Sequence, residues 1–173
     1  MTFLAPTFLS AATTAPALLP STLSDLSRDA VSELMREGES QNTLASYHSA
    51  LRYWTAWYGL RYGGAIQLPL PVACVLQFVV DHAQRMTARG LAHELPLDID
   101  QALVAGGYKG KLGAMAHNTL VHRVAVMSKA HQLRQLSNPC QDAQVRELLS
   151  RTRKAYAKRG ALPRKKAALT KDP

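Results

Sequence analysis

The stretch Ser40 to Arg61, SQNTLASYHSALRYWTAWYGLR, constrains this chain more than any other. Leu44, Tyr47, Leu51, Trp54 and Tyr58 recur at steps of three and four, with Trp57 beside them, which is the apolar stripe of a buried amphipathic helix. The remaining segments are therefore expected to pack around it. Its reverse face carries Ala45, Ser46, Ser49 and Ala56, small residues interrupted by Arg52. A backbone so lightly covered can approach a flat or grooved partner closely, and it can equally admit another helix; both readings stay open. Ser40 or Asn42 supplies a cap before the stripe, and Gly63-Gly64 follows it.

At 173 residues with 47% hydrophobic content, the chain is long enough for one domain with a real core, plus tails. Residues 1–22 are apolar and proline-interrupted without a basic start, so they read as a flexible arm rather than a signal peptide. A short helix is expected over Ser24–Glu37, with Leu26, Ala30, Val31, Leu34 and Met35 on one side. That side either completes the core or docks on a neighbouring copy. Pro71 starts a further helix running to about Met86, with Val72, Val75, Leu76, Val79 and Val80 inward and Phe78 alongside. From 87 to 113 five glycines and one proline predict a loop insertion, either a long loop or a partly ordered one, with only a weak helical patch at Ile99–Val104. Its lysines and glycines do not match the phosphate-loop spacing.

A long helix is predicted over about 116–136, with Leu120, Val124, Met127 and His131 as its core row. Asn118, His122, Ala125 and Lys129 form a row on the opposite side, flanked by Arg123. Asn138-Pro139 breaks this helix, and Gln141-Asp142 caps another running to about Arg159. That last helix buries Val145, Leu148 and Leu149 and presents Arg151, Arg153, Lys154, Lys158 and Arg159.

Charge is where the chain suggests a partner. Residues 1–110 hold 7 Lys+Arg and 9 Asp+Glu, a net of −2, whereas residues 111–173 hold 14 and 3, a net of +11. A basic block of this kind implies a polyanion, most often nucleic acid, because each neutralised phosphate releases condensed counterions. No apolar run reaches the roughly 20 residues of a membrane span, and two cysteines without CxxC spacing fit a reduced, cytoplasmic protein with no metal site. The six histidines show no HExxH or clustered spacing, and no nucleophile context or paired carboxylates occur. The expectation is a chain with no catalytic site, no cofactor and no small-molecule substrate.

Taken in order, Thr43-Leu44, Arg52-Tyr53-Trp54-Thr55-Ala56-Trp57, the proline-started helix, Thr119-Leu120, Asn138-Pro139, Val145 to Lys154 and finally KKAALT resemble the core-binding domain of the tyrosine recombinase (phage integrase) family. The likeness covers about residues 24–170 without the 87–113 insertion, which is foreign to the family pattern, and includes the additional helix before the first long one seen in Cre-like members. It implies an all-α, SAM-like core-binding domain over 23–160: four long helices in two crossed pairs plus an N-terminal helix. It further implies sequence-specific binding to double-stranded DNA, clamping a recombination half-site for integration or recombination, with copies touching through the 24–37 helix. Matched by position, it brings Ala45, Ser46, Ser49 and Arg52 to the major groove together with Asn118, Thr119, His122 and Arg123. Arg151, Arg153 and Lys154 would then meet phosphates, joined by Lys129 from the basic row. The family's catalytic residues lie in a following domain, so 161–173 would be a basic linker towards it. A helical protein-interaction module and a stand-alone architectural DNA-binding protein are the rival readings.

Overall fold

A computed structural model of the chain describes residues 19–163. The expected linker residues 164–173 and most of the expected arm lie outside the described residues. The described chain is mostly helical, and it falls into two compact units that divide between Gln41 and Asn42.

The first unit contains α1 (Asp25–Glu37). Ser24 caps it, its hydroxyl accepting from the Ser27 N–H at 3.2 Å, and the Gly38 N–H closes the last turn on the Leu34 carbonyl at 3.0 Å. Asp25 in the first turn and Arg36 in the last complement the helix dipole. Its apolar side is uncovered: Leu26, Leu34 and Met35 are 83%, 68% and 64% exposed.

The second unit begins with α2 (Gln41–Tyr62) and α3 (Val72–His82). A short hairpin follows, β1 (Arg85–Thr87) paired antiparallel with β2 (Gly90–Ala92), then α4 (Leu97–Ala105), α5 (His117–Leu133) and α6 (Ala143–Lys158). A 3-10 turn at Pro139–Gln141 joins the last two helices. The Asn138 side chain accepts from the Cys140 N–H at 3.0 Å, and Asp142 caps α6 through the Gln144 N–H at 2.9 Å.

The helix α2 exists where the periodicity placed it but buries a different face. Ala50, Tyr53, Trp54 and Trp57 are its interior residues, whereas Leu44 and Leu51 stay exposed and Tyr47 and Tyr58 are half-buried. At 100° per residue this face is turned by about 90° from the expected one. Both stripes satisfy three-four spacing and share Trp54; the one holding the larger aromatic payload won. Trp54 stacks on Phe78 with centroids 3.6 Å apart, and Trp57 meets the same ring edge-on at 5.0 Å. Each indole N–H has a partner, Trp54 donating to the Arg123 carbonyl and Trp57 to the Asp81 carboxylate, both at 2.9 Å. Asp81 is fully buried yet also receives Gln77 at 2.7 Å and pairs with Arg61 at 3.3 Å. Burial pushes its carboxyl above the usual range, against the pull of these donors.

The segment 87–113 is not the loop insertion expected from its glycines. The hairpin and α4 occupy much of it, and Leu95, Ile99 and Leu103 join the core. Tertiary burial of these three overrides a local pattern too weak to specify a helix alone. The end of α3 is also earlier than expected, because Ala83 leaves the helix and the chain turns into β1. By contrast, Leu120, Val124, Met127 and His131 of α5 are all buried, as their spacing requires. His131 is an interior residue with both ring nitrogens engaged: Nδ1 lies 2.8 Å from the Met127 carbonyl oxygen, and Nε2 accepts from the Leu70 N–H at 3.0 Å.

Candidate nucleic-acid interface

Two helices distant in sequence, α2 and α5, build the candidate site between them. Trp54 ties α2 to the α5 backbone at Arg123, while farther along the pair Ser46 Oγ lies 3.0 Å from His122 Nε2. Between these ties opens a shallow groove of about 360 Å³ lined by Ser46, Ser49, Ala50, Asn118, Thr119, His122 and Arg123. Six of the twelve contact residues expected from the sequence are therefore gathered in one place. Ser49, Asn118, Thr119 and His122 are exposed along it, while Ala45 is exposed outside its lining, and hydroxyl, amide and imidazole groups can each donate to and accept from base edges.

Asn118 also borders a second, larger concavity of about 650 Å³ between α5 and α6, lined by His117, Asn118, Val121, Leu149, Ser150, Arg153, Leu162 and Pro163. Arg153 brings an exposed cation to it. His117 is the unusual residue there: it is 6% exposed, and its Nε2 has no hydrogen-bond partner among the described residues. Burial above all, with a smaller contribution from the positive charge of Arg153, lowers its pKa against the opposing hydrogen bond with the Asn118 side chain. On the other flank of α2, one helical turn beyond Ser49, Arg52 lies with His48, Leu51, Thr55, Ala56 and Tyr108 around a hollow of about 340 Å³. Its guanidinium carbon lies 5.4 Å from the centre of the Tyr108 ring.

Some of the expected contact residues are engaged within the protein, Ser46 and Arg123 even though they line the groove. Ser46 is half-buried on the interior-facing row of α2, where its hydroxyl bridges to α5 instead of standing on the reverse face. Arg123 turns inward. Its guanidinium covers the Tyr53 ring at 3.7 Å and reaches Met115 Sδ at 3.5 Å, and burial lowers its pKa. Once α2 rotates to bury Tyr53, an arginine beside that ring gains more from stacking on it than from solvent. Lys129 likewise folds back on α2, donating to the Tyr47 hydroxyl at 3.0 Å with its ammonium 4.6 Å from that ring.

On α6, the buried residues Val145, Thr152 and Tyr156 define the inward side. By the 100° rule, Arg153 flanks the α5 groove, Lys154 points directly away from the core, and Arg151 is about 160° round from Arg153. Arg151 is also paired with Glu147 at 2.9 Å, an exposed bridge of the i,i+4 kind. So of the three α6 cations expected at phosphates, the fold brings Arg153 to the groove and leaves Arg151 on the far flank. Arg159 is half-engaged as well, donating to the Gln84 carbonyl at 2.8 Å over the Tyr156 ring.

What results is a band running from Arg52 through Ser49 and the Ser46–His122 bridge to Asn118 and Arg153. Three shallow hollows of mixed polar and apolar lining follow one another along it, with an arginine at each end. Among the described residues no group of three His, Cys, Asp or Glu side chains is placed to hold a metal ion, and no helix is long and apolar enough to cross a membrane. No known protein-family model matches the chain, and no curated protein matches its sequence.

Proposed function

We propose that this chain is the core-binding part of a tyrosine site-specific recombinase, gripping one side of a DNA half-site. The observation that carries this reading is the single groove in which Ser46, Ser49, Asn118, Thr119 and His122 meet, although their helices are separated by more than fifty residues. It lies in a chain whose positive charge is concentrated after residue 110. In this reading α2, α3, α5 and α6 form the two crossed pairs of a SAM-like core-binding domain. The exposed face of α5 enters the major groove, where Asn118 and His122 meet base edges. Arg52 does so from α2, each good contact contributing about 1–3 kcal/mol of discrimination. Arg153 and Lys154 meet phosphates, which set register and affinity.

Strand cleavage would belong to a separate catalytic domain. Tyr156, the one tyrosine near the basic helix face, does not serve as a nucleophile in this reading: it is buried, and its hydroxyl donates to the Met115 carbonyl at 2.9 Å. The uncovered apolar side of α1 supports docking on another protein, and a neighbouring copy on the same DNA is the occupant this reading assigns to it. The same face is what favours the rival reading of a protein-interaction module.

The test is a gel-shift titration with Arg52→Ala on a duplex selected from a randomised library and on a scrambled duplex. Arg52→Ala is expected to weaken the selected duplex about tenfold or more and the scrambled one less. Equal losses on the two duplexes refute base reading by Arg52.

A further inference from the structure

The glycine-rich segment after α4 has a construction that the groove alone does not explain. Gly107 closes the helix at φ 76°, and the Tyr108 and Lys109 N–H groups both return to the Leu103 carbonyl, at 3.0 and 3.2 Å. Asp100, 2% exposed on α4, then holds the segment at two further points. It pairs with the Lys109 ammonium and accepts from the Gly113 N–H at 2.8 Å, while the Lys109 ammonium also donates to the Gly113 carbonyl. A loop fastened this way keeps a fixed shape, and the aromatic side chain it projects is Tyr108.

The Tyr108 ring lies directly across Gly106. A Cβ added at Gly106 would come within 2.8 Å of the ring carbon Cε2 and 2.9 Å of Cδ2. The glycine is thus required for close approach of the ring rather than for an unusual φ. From that seat the ring faces the guanidinium of Arg52, which has no hydrogen bond or ion pair of its own among the described residues.

We infer that Tyr108 is a positioning residue for Arg52: the 106–113 loop is a fixed bracket that holds the α2 arginine in its DNA-facing rotamer and extends the contact band beyond the α2–α5 groove. This rests on the proposed reading of the band as a duplex interface. The physical reason is entropic as much as electrostatic. An exposed arginine loses rotamer freedom when it engages a base or phosphate, and one already held over an aromatic face loses less.

The test is a double-mutant cycle on duplex affinity with the full chain, using the selected and scrambled duplexes. Tyr108→Leu is expected to weaken the selected duplex about two- to fivefold, the range of an exposed cation–π contact, and Tyr108→Phe to keep wild-type affinity. Gly106→Ala, which displaces the ring without removing it, should reproduce Tyr108→Leu. In an Arg52→Ala background neither change should have any further effect. An unaltered thermal midpoint in Tyr108→Leu separates positioning from loss of fold. If the wild type binds a duplex but Tyr108→Leu binds like wild type, or weakens binding equally with and without Arg52, the bracket role is wrong while the interface stands. If the wild type binds no duplex, the proposed function falls and the bracket role with it.

Discussion

Acidification should destabilise the second unit, with His82 as a large contributor. Its ring is fully buried, with Nδ1 2.7 Å from the Phe78 carbonyl oxygen and Nε2 2.6 Å from the Tyr53 hydroxyl. A carbonyl only accepts, so Nδ1 carries the proton and Nε2 is left to accept from Tyr53. A second proton on Nε2 would place a cation in a dry interior close to two others. Burial above all, then the charges of Lys109 and Arg123, lower the pKa from 6.5 to about 3, against the opposing Phe78 carbonyl and Asp100. Between these two values the unfolded chain takes up a proton that the folded chain refuses. Stability is therefore full above about pH 6.5 and falls as the pH drops, with a slope approaching about 1.4 kcal/mol per unit. At pH 4.5 the loss from this ring alone is roughly 2–3 kcal/mol, a large part of the typical 5–15 kcal/mol of a domain. Urea unfolding of the wild type and His82→Gln at pH 7 and pH 4.5 measures it. Asp81 and His117 titrate alike in both proteins, so the difference between them isolates His82. The pH sensitivity of the variant should be smaller by that amount, and equal sensitivity in the two proteins refutes the buried neutral ring.

Other expectations follow from the same contacts. Trp54→Ala removes the stacked partner of Phe78 from the centre of the core and should cost about 3–5 kcal/mol in chemical denaturation. Arg123→Ala should lower stability by about 1–2 kcal/mol through lost packing on Tyr53, yet leave the preference for a selected over a scrambled duplex unchanged, the reverse of Arg52→Ala. Asp100→Ala should accelerate amide hydrogen exchange at 106–113 while leaving α5 protected, because both fastenings of that loop converge on one carboxylate.

Much of the architecture was legible because it depends on local rules. The core row of α5 and the Asp142 cap follow from spacing and capping alone, and the structure has them where the sequence indicates, whereas α5 ends at Leu133, ahead of Asn138-Pro139, which open a 3-10 turn instead. Ser46 and Ser49 line one groove with Asn118, Thr119 and His122, residues that the family resemblance had set side by side, although Ser46 reaches it from the interior-facing row of α2 and not from the face the expected core row left over. The misses have a common origin in tertiary competition. Two stripes on α2 satisfied the same spacing, and only the aromatic contacts with Phe78 decide between them. Choosing the other stripe put Tyr53 outside the core, and with it went the reason for Arg123 to turn inward. The glycine-rich segment misled in a different way. Its order comes from Leu95, Ile99 and Leu103 entering a core assembled by other helices, and from the buried Asp100, which register locally as no more than the weak helical patch at Ile99–Val104. An aromatic residue standing alone among Gly106, Gly107 and Gly110 was the available signal for Tyr108.

The most direct test of the central claim is the salt dependence of duplex binding by the full chain, followed by fluorescence anisotropy with a labelled DNA. If the band from Arg52 to Arg153 is seated on a duplex, log K should fall linearly with log salt at about −0.9 per neutralised phosphate, giving a slope of about −2 to −4. Arg153→Ala should make that slope shallower by about one phosphate. A slope near zero, or an Arg153→Ala slope identical to wild type, contradicts the account.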